Sequence, residues 1–119
     1  MIFVGTDIVP MIRIENLIKD HGKRFLNHVY TKLEQNICNA KKSPFIHYSG
    51  KFAAKEAVKK ALLSSKLINN IPLVSIEIQN DDDGTPLVHI PQESINYEQL
   101  QISISHAGEY ATAIAILEL

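Results

Sequence analysis

The last strand-forming run of this 119-residue chain, Tyr110 to Glu118, is apolar on both of its faces. Ala111, Ala113, Ala115 and Leu117 alternate to one side, and Ile114 and Ile116 to the other. Side chains alternate across a strand with period two, so a run apolar on both faces is expected to be buried on both. In a chain of this size that burial calls for helices on one side and points to another subunit on the other. The run pairs readily with residues 101–106 through the turn Ala107-Gly108-Glu109. A second hairpin is predicted from Val74 to Gln79 and Pro86 to Ile90 around Asn80-Asp81-Asp82-Asp83-Gly84-Thr85, because Asp-Gly accommodates the positive backbone angles of a tight turn.

The first part of the chain reads as one strand followed by helices. Residues 2–9 form a short apolar run with Phe, Val and Ile. A helix is predicted from Pro10, with Ile12, Ile14, Leu17 and Ile18 as its apolar stripe and Gly22 as its break. A short second helix holds Phe25, Leu26 and Val29, and Thr31 with Glu34 makes a capping box for a third. Asn36 to Pro44 reads as a polar loop. The main helix is predicted over about residues 45–65, with Phe52, Ala53, Ala57, Ala61 and Leu62 as its packing face. Gly50 inside it costs about 1 kcal/mol relative to alanine but lets a ligand or another backbone come close. Lys51, Lys55 and Lys59 recur every four residues and form one stripe. The expected fold is a single α+β domain over 1–119, a mostly antiparallel sheet with a long helix packed on it.

Composition narrows the function classes. At 45% hydrophobic and 21% charged residues the chain is an ordinary soluble domain, and no apolar run approaches the roughly 18–20 residues of a membrane span. No basic segment followed by an apolar stretch and a cleavage site marks a secretory signal. Cys38 is alone, which excludes an internal disulfide and a cysteine-based zinc cluster and fits a reducing cytoplasm. Up to Lys66 the chain has twelve basic residues and five acids, a net +7; beyond it come eight acids and no lysine or arginine, a net −8. Such asymmetry suggests that the first part meets an anion, although lysines simply solvated on helices would give the same count. A nucleic-acid module would use the same charge, but no helix-turn-helix, zinc or RNA-binding signature accompanies it and aromatics stand at 7%.

Two acids are set apart by their surroundings. Asp7 lies in the apolar first strand, and Glu56 sits among the lysines of the main helix. A half-buried carboxylate is costly unless its charge is compensated. A divalent ion shared by two carboxylates, with lysines for phosphate oxygens, answers that need, and Mg²⁺ is commonly held this way. Glu56 and Lys60 are spaced i, i+4 and can meet across one turn, either at a reacting phosphate or as an ordinary surface pair. His106 follows the alternation of Ile102 and Ile104 toward the core-facing side, where a satisfied structural histidine is also a reading. Asp81, Asp82 and Asp83 are expected to be solvated in their turn.

Gly5-Thr6-Asp7-Ile8-Val9, Lys51-Phe52-Ala53-Ala54-Lys55-Glu56-Ala57 with Lys60, and Ile102-Ser103-Ile104-Ser105-His106 followed by Glu109-Tyr110-Ala111 resemble, in order, the three motifs of the holo-acyl-carrier-protein synthases, the small 4'-phosphopantetheinyl transferases. Arg24-Phe25 and Tyr30-Thr31 with Glu34 fit the weaker pattern between the first two motifs. The resemblance implies the 4'-phosphopantetheinyl transferase fold, a homotrimer with sites between subunits, and transfer of 4'-phosphopantetheine from coenzyme A to a serine of apo acyl carrier protein. It implies Mg²⁺ on Asp7 and Glu56, with Glu56 and Lys60 catalytic. Lys51, Lys42 and His106 would contact coenzyme A, and Arg13, Lys23 and Arg24 the acidic carrier. Neither nucleic acid nor membrane is implied as a partner. Lys51 stands where the family usually has arginine, so a planar two-pronged contact is lost. The family's Gly-Thr-Gly-like turn is absent, replaced by Leu62-Leu63-Ser64-Ser65-Lys66. That departure leaves room for the rival reading of an inactive carrier-binding adaptor.

Overall fold

The chain orders itself as β1 (Ile2–Pro10), α1 (Met11–His21), α2 (Lys23–Val29), α3 (Lys32–Asn39), α4 (Pro44–Ser65), a 3-10 turn (Leu73–Ser75), β2 (Glu77–Asn80), β3 (Pro86–His89), β4 (Gln99–Ala107) and β5 (Tyr110–Glu118). The structure, a computed structural model, describes residues 1–91 and 95–119. β5 takes the middle of an antiparallel sheet ordered β1-β5-β4. β2 and β3 form a separate antiparallel ribbon.

The central strand behaves as its alternation requires, on one face. Ala111, Ala113, Ala115 and Leu117 are buried beneath α4 and its surroundings. Ile114 and Ile116 remain 39% and 41% exposed, beside exposed Ile2, Val4 and Ile8 of β1. Burial on both faces is therefore met by this chain on one face only.

α4 is the hub. Tyr48, Phe52, Ala53, Ala57, Val58 and Leu62 are all buried, because the helix packs on the sheet with one side and under α1, α3 and β2 with others. Proline in the first turn suits its start, where a missing N–H costs nothing. Gly5 permits its close seat on the sheet. A Cβ there would fall 1.9 Å from the Ala57 carbonyl oxygen and 2.8 Å from the Ala61 nitrogen, so the strand and helix backbones touch directly.

Four local expectations are corrected. α3 persists through Asn39, stabilised by its Thr31–Glu34 capping box, so the loop before α4 is shorter than Asn36 to Pro44. β2 starts only at Glu77, because the chain turns in a 3-10 helix at Leu73–Ser75. Ile12 is exposed, off the stripe in which Ile14 is buried. His106, expected on the core-facing side by its alternation with Ile102 and Ile104, is exposed near the end of β4, where the strand runs past the core.

α4 runs unbroken through Ser65 and ends on Lys66, which adopts the left-handed conformation at φ 63° and ψ 10°. Lys66 thus occupies a position that glycine fills without strain. Lys66→Gly is expected to stabilise the fold by roughly 0.5–1 kcal/mol in urea denaturation. Gly5→Ala is expected to lower stability by about 2–3 kcal/mol or more, because rigid backbone atoms must move to admit the methyl group.

Candidate active site

On β1 the residues Phe3, Gly5, Asp7 and Val9 turn toward α4, while their neighbours stay exposed. Asp7 thereby arrives beside the helix two positions after the Gly5 contact. Lys60 crosses to it. Its Nζ donates to Asp7 Oδ1 at 3.1 Å and to the Thr6 carbonyl at 2.9 Å. The Asp7 side chain is 16% exposed, so this ion pair compensates a largely desolvated carboxylate. Glu56 lies one turn before Lys60 on the same strip of helix and is half-buried. Among the described residues no ion pair or hydrogen bond engages its carboxylate. Lys60 could have turned to Glu56, its i+4 neighbour; the structure gives it to Asp7 instead.

Could this corner hold a cation? Among the described residues no group of three His, Cys, Asp or Glu gathers anywhere. An ion here would have two carboxylates and would complete its shell with phosphate oxygens and water. That donor set suits Mg²⁺, which keeps several waters and is seldom fully caged by protein.

A groove of about 1200 Å³ opens between the first turns of α4, the β2–β3 turn and β4. Lys41, Lys42, His47, Lys51, Gly50 and His106 supply one side, and Asn80, Asp81, Asp82, Gly84 and Thr85 the other. Asp7 and Glu56 are not part of this lining. Gly50 serves the close approach expected of it: a Cβ there would meet the Ile104 side chain at 3.1 Å. Lys42 and His106 are exposed on the groove wall. The acid turn is internally satisfied, with Asp81 Oδ1 accepting from the Thr85 amide at 2.9 Å and Asp83 Oδ1 from the Thr85 hydroxyl at 2.7 Å.

Lys51 and Lys55 behave differently from the exposed lysines. Lys55 is fully buried against Glu34, Nζ to Oε1 2.6 Å, and also donates to the Leu73 and Ile76 carbonyls at 3.1 and 2.6 Å. All three of its N–H groups are thus used. Glu34 Oε2 accepts the Ile78 amide at 2.8 Å. Lys51 donates to the Ile78 carbonyl at 3.1 Å and reaches Asn80 Oδ1 at 3.4 Å. Burial pulls both ammonium groups below the ordinary lysine value, opposed by Cys38 and Glu34 at Lys51 and by Glu34 at Lys55. Lys59 is half-buried. At about 100° per residue, Glu56 points well away from Lys51 and Lys55, which is why one helix can carry a buried cation pair and an outward acid side by side.

Arg13, Lys23 and Arg24 are exposed on α1 and α2. The Arg13 guanidinium lies 6.0 Å above the Phe52 ring, and Arg24 borders a small depression with His21, Phe25 and His28. Sequence reasoning passed over His47 and Lys41. His47 precedes Lys51 by four residues on the same helix, so the spacing that grouped the lysines could have included it. The Glu34–Lys55 pair was not foreseen either, since the partners lie 21 positions apart and nothing local links them.

A sheet-borne acid and a helix-borne acid and ammonium, beside a groove rimmed by lysine and histidine, are equipment for a phosphorylated ligand. The family model of the 4'-phosphopantetheinyl transferase superfamily matches residues 3–115. A holo-[acyl-carrier-protein] synthase of Protochlamydia amoebophila is 45% identical over 116 residues, covering 95% of this chain and 94% of the relative. The Chronobacterium ammoniagenes ACPS–CoA complex superposes with a TM-score of 0.86 at 28% identity, covering 99% of this chain and 97% of that one. The Helicobacter pylori holo-[acyl-carrier-protein] synthase in complex with coenzyme A gives 0.79 at 30% identity, with 97% and 99% covered. The chain belongs to the 4'-phosphopantetheinyl transferase superfamily and has its α+β fold. Among the described residues no helix is long and apolar enough to cross a membrane.

His47 offers a direct check of the groove's electrostatics. Desolvation, then Lys41, Lys51 and His106, hold its imidazole below the ordinary 6.5. Because the folded value is depressed, its contribution to stability is present above the unfolded value and is lost as pH falls through the folded one. A histidine NMR titration should therefore place the His47 midpoint below 6.5, and Lys41→Ala should move it upward.

Proposed function

We propose that the chain is an enzyme, a holo-acyl-carrier-protein synthase. It transfers 4'-phosphopantetheine from coenzyme A to a serine of apo acyl carrier protein and releases adenosine 3',5'-bisphosphate, in support of fatty acid biosynthesis. The observation that carries this reading is the meeting of Asp7 and Lys60 at 3.1 Å, with Glu56 one turn away, in a chain so similar to synthases of that name. The serine hydroxyl forms a bond to the β-phosphorus of coenzyme A as the bond to the leaving bisphosphate breaks, and the serine proton passes to solvent or to the released phosphate. Positioning and charge compensation are what the protein must supply.

Asp7 and Glu56 are the residues that would hold Mg²⁺, whose chemistry is to neutralise pyrophosphate oxygens. Lys60 is half exposed beside Asp7, which supports a role for its ammonium in offsetting charge on the leaving phosphate. Lys42 and His106 on the groove wall support binding of the nucleotide end of coenzyme A. Arg13, Lys23 and Arg24 offer an acidic carrier a basic helix face, with association that weakens as salt rises. The exposed apolar face of Ile2, Val4, Ile8, Ile114 and Ile116 supports a homotrimer that covers it. Residues 1–119 act as one domain, in the cytoplasm.

The absent Gly-Thr-Gly turn keeps an inactive carrier-binding adaptor as the second reading, because α4 continues through Ser65 where those glycines would stop it. One assay separates the two. Incubated with coenzyme A, Mg²⁺ and apo carrier, the protein should add the mass of one phosphopantetheine to the carrier, and a chelator should stop it. Asp7→Ala and Glu56→Ala should each slow transfer by about 10²–10³-fold with circular dichroism unchanged. Near-normal rates in both variants would remove the acid pair from the mechanism.

A further inference from the structure

Lys51 lines the groove yet has its charge turned into the protein. It is 6% exposed, and its Nζ is directed at the Ile78 carbonyl at 3.1 Å and at Asn80 Oδ1 at the long limit of 3.4 Å. Asn80 continues the chain of contacts, donating from Nδ2 to the Gly84 carbonyl across the β2–β3 turn at 3.1 Å. From the other side Glu34 accepts the Ile78 amide and pairs with Lys55, which itself holds the Leu73 and Ile76 carbonyls. Both backbone polar groups of Ile78 are therefore held by side chains, its amide by Glu34 on α3 and its carbonyl by Lys51 on α4. Among the described residues β2 and β3 pair only with each other, and these side chains fasten the ribbon's outer end to the helices beside the buried Ile76 and Ile78.

The ribbon's turn is one wall of the groove, through Asn80, Asp81, Asp82, Gly84 and Thr85. We propose that Lys51, with Glu34 and Lys55 behind it, is a buried strut that sets the position of the β2–β3 wall, a positioning residue for coenzyme A and not a ligand of its phosphate. A phosphate ligand in the groove would be served by an ammonium free to point outward, as Lys41 and Lys42 are; Lys51 has two of its three donors aimed the opposite way. An immobilised wall lowers the ordering that ligand binding must otherwise supply.

This proposal rests on the coenzyme A reading, so its test has one arm that needs no substrate. Hydrogen exchange of the free protein should show faster exchange at amides of residues 77–89 in Lys51→Met and in Asn80→Ala, with the β1-β5-β4 sheet unchanged. The second arm compares transfer from coenzyme A and from 3'-dephospho-coenzyme A. A strut acts on both alike: Lys51→Met should raise KM about 5–10-fold for each, leaving their ratio and kcat nearly unaltered, and exposed Asn80→Ala should raise both by about 2–3-fold. A phosphate ligand would instead lose only the advantage of coenzyme A over its dephospho form. That result, or exchange in the ribbon unchanged by both variants, would overturn the proposal. Failure of the wild-type protein to transfer from either donor would defeat the coenzyme A reading, and the exchange arm would then decide the strut alone.

Discussion

Gly5 is the point at which strand and helix backbones meet. With no Cβ between β1 and the Ala57 carbonyl, α4 lies against the sheet at backbone distance, and the meeting of Asp7 with Lys60 depends on that seating. Asp7 is two residues farther along the same face of β1, and Lys60 one turn farther along α4. Alanines on the facing side of β5 keep the floor shallow enough for the helix to lie flat across it. A larger residue at Gly5 would separate the two elements that supply the acids.

Two kinds of charge pairing share the same helix and do opposite work. Glu34 and Lys55 are fully buried, and every partner is accounted for by main chain or by each other. Such a pair contributes little net stability relative to apolar residues, yet breaking one partner is costly, which gives the surrounding elements a single arrangement. Lys60 and Asp7 are partly exposed, with one lysine N–H and the Asp7 Oδ2 uncommitted among the described residues. The rigid pair lies toward α3 and β2, the partly exposed one toward β1.

Much of this was legible in the residues. Alternation in β5 gave a strand with a buried alanine face, Thr31 with Glu34 gave the α3 cap, and Asp-Gly gave the β2–β3 turn, because each depends on neighbours within one turn or one strand. Asp7 and Glu56 stood out by the cost of a half-buried acid, but the i, i+4 spacing suggested Glu56 as the partner of Lys60, and the contact that forms is with Asp7, 53 positions away. The lysine stripe was legible as a line and no more. Periodicity places Lys51 and Lys55 on one line, but it carries no information about whether that line meets water or meets Glu34.

Sequence by itself determined most of the elements, the pairing of the last two strands and the capping box of α3, since local periodicity and side-chain type are properties of the chain alone. Only the tertiary structure decided which lysine became a strut and which remained available, that Lys60 answers Asp7, and that His47 joins the groove. Those outcomes depend on desolvation and on distances between residues far apart in the chain, quantities that exist only once the helix has been laid on the sheet.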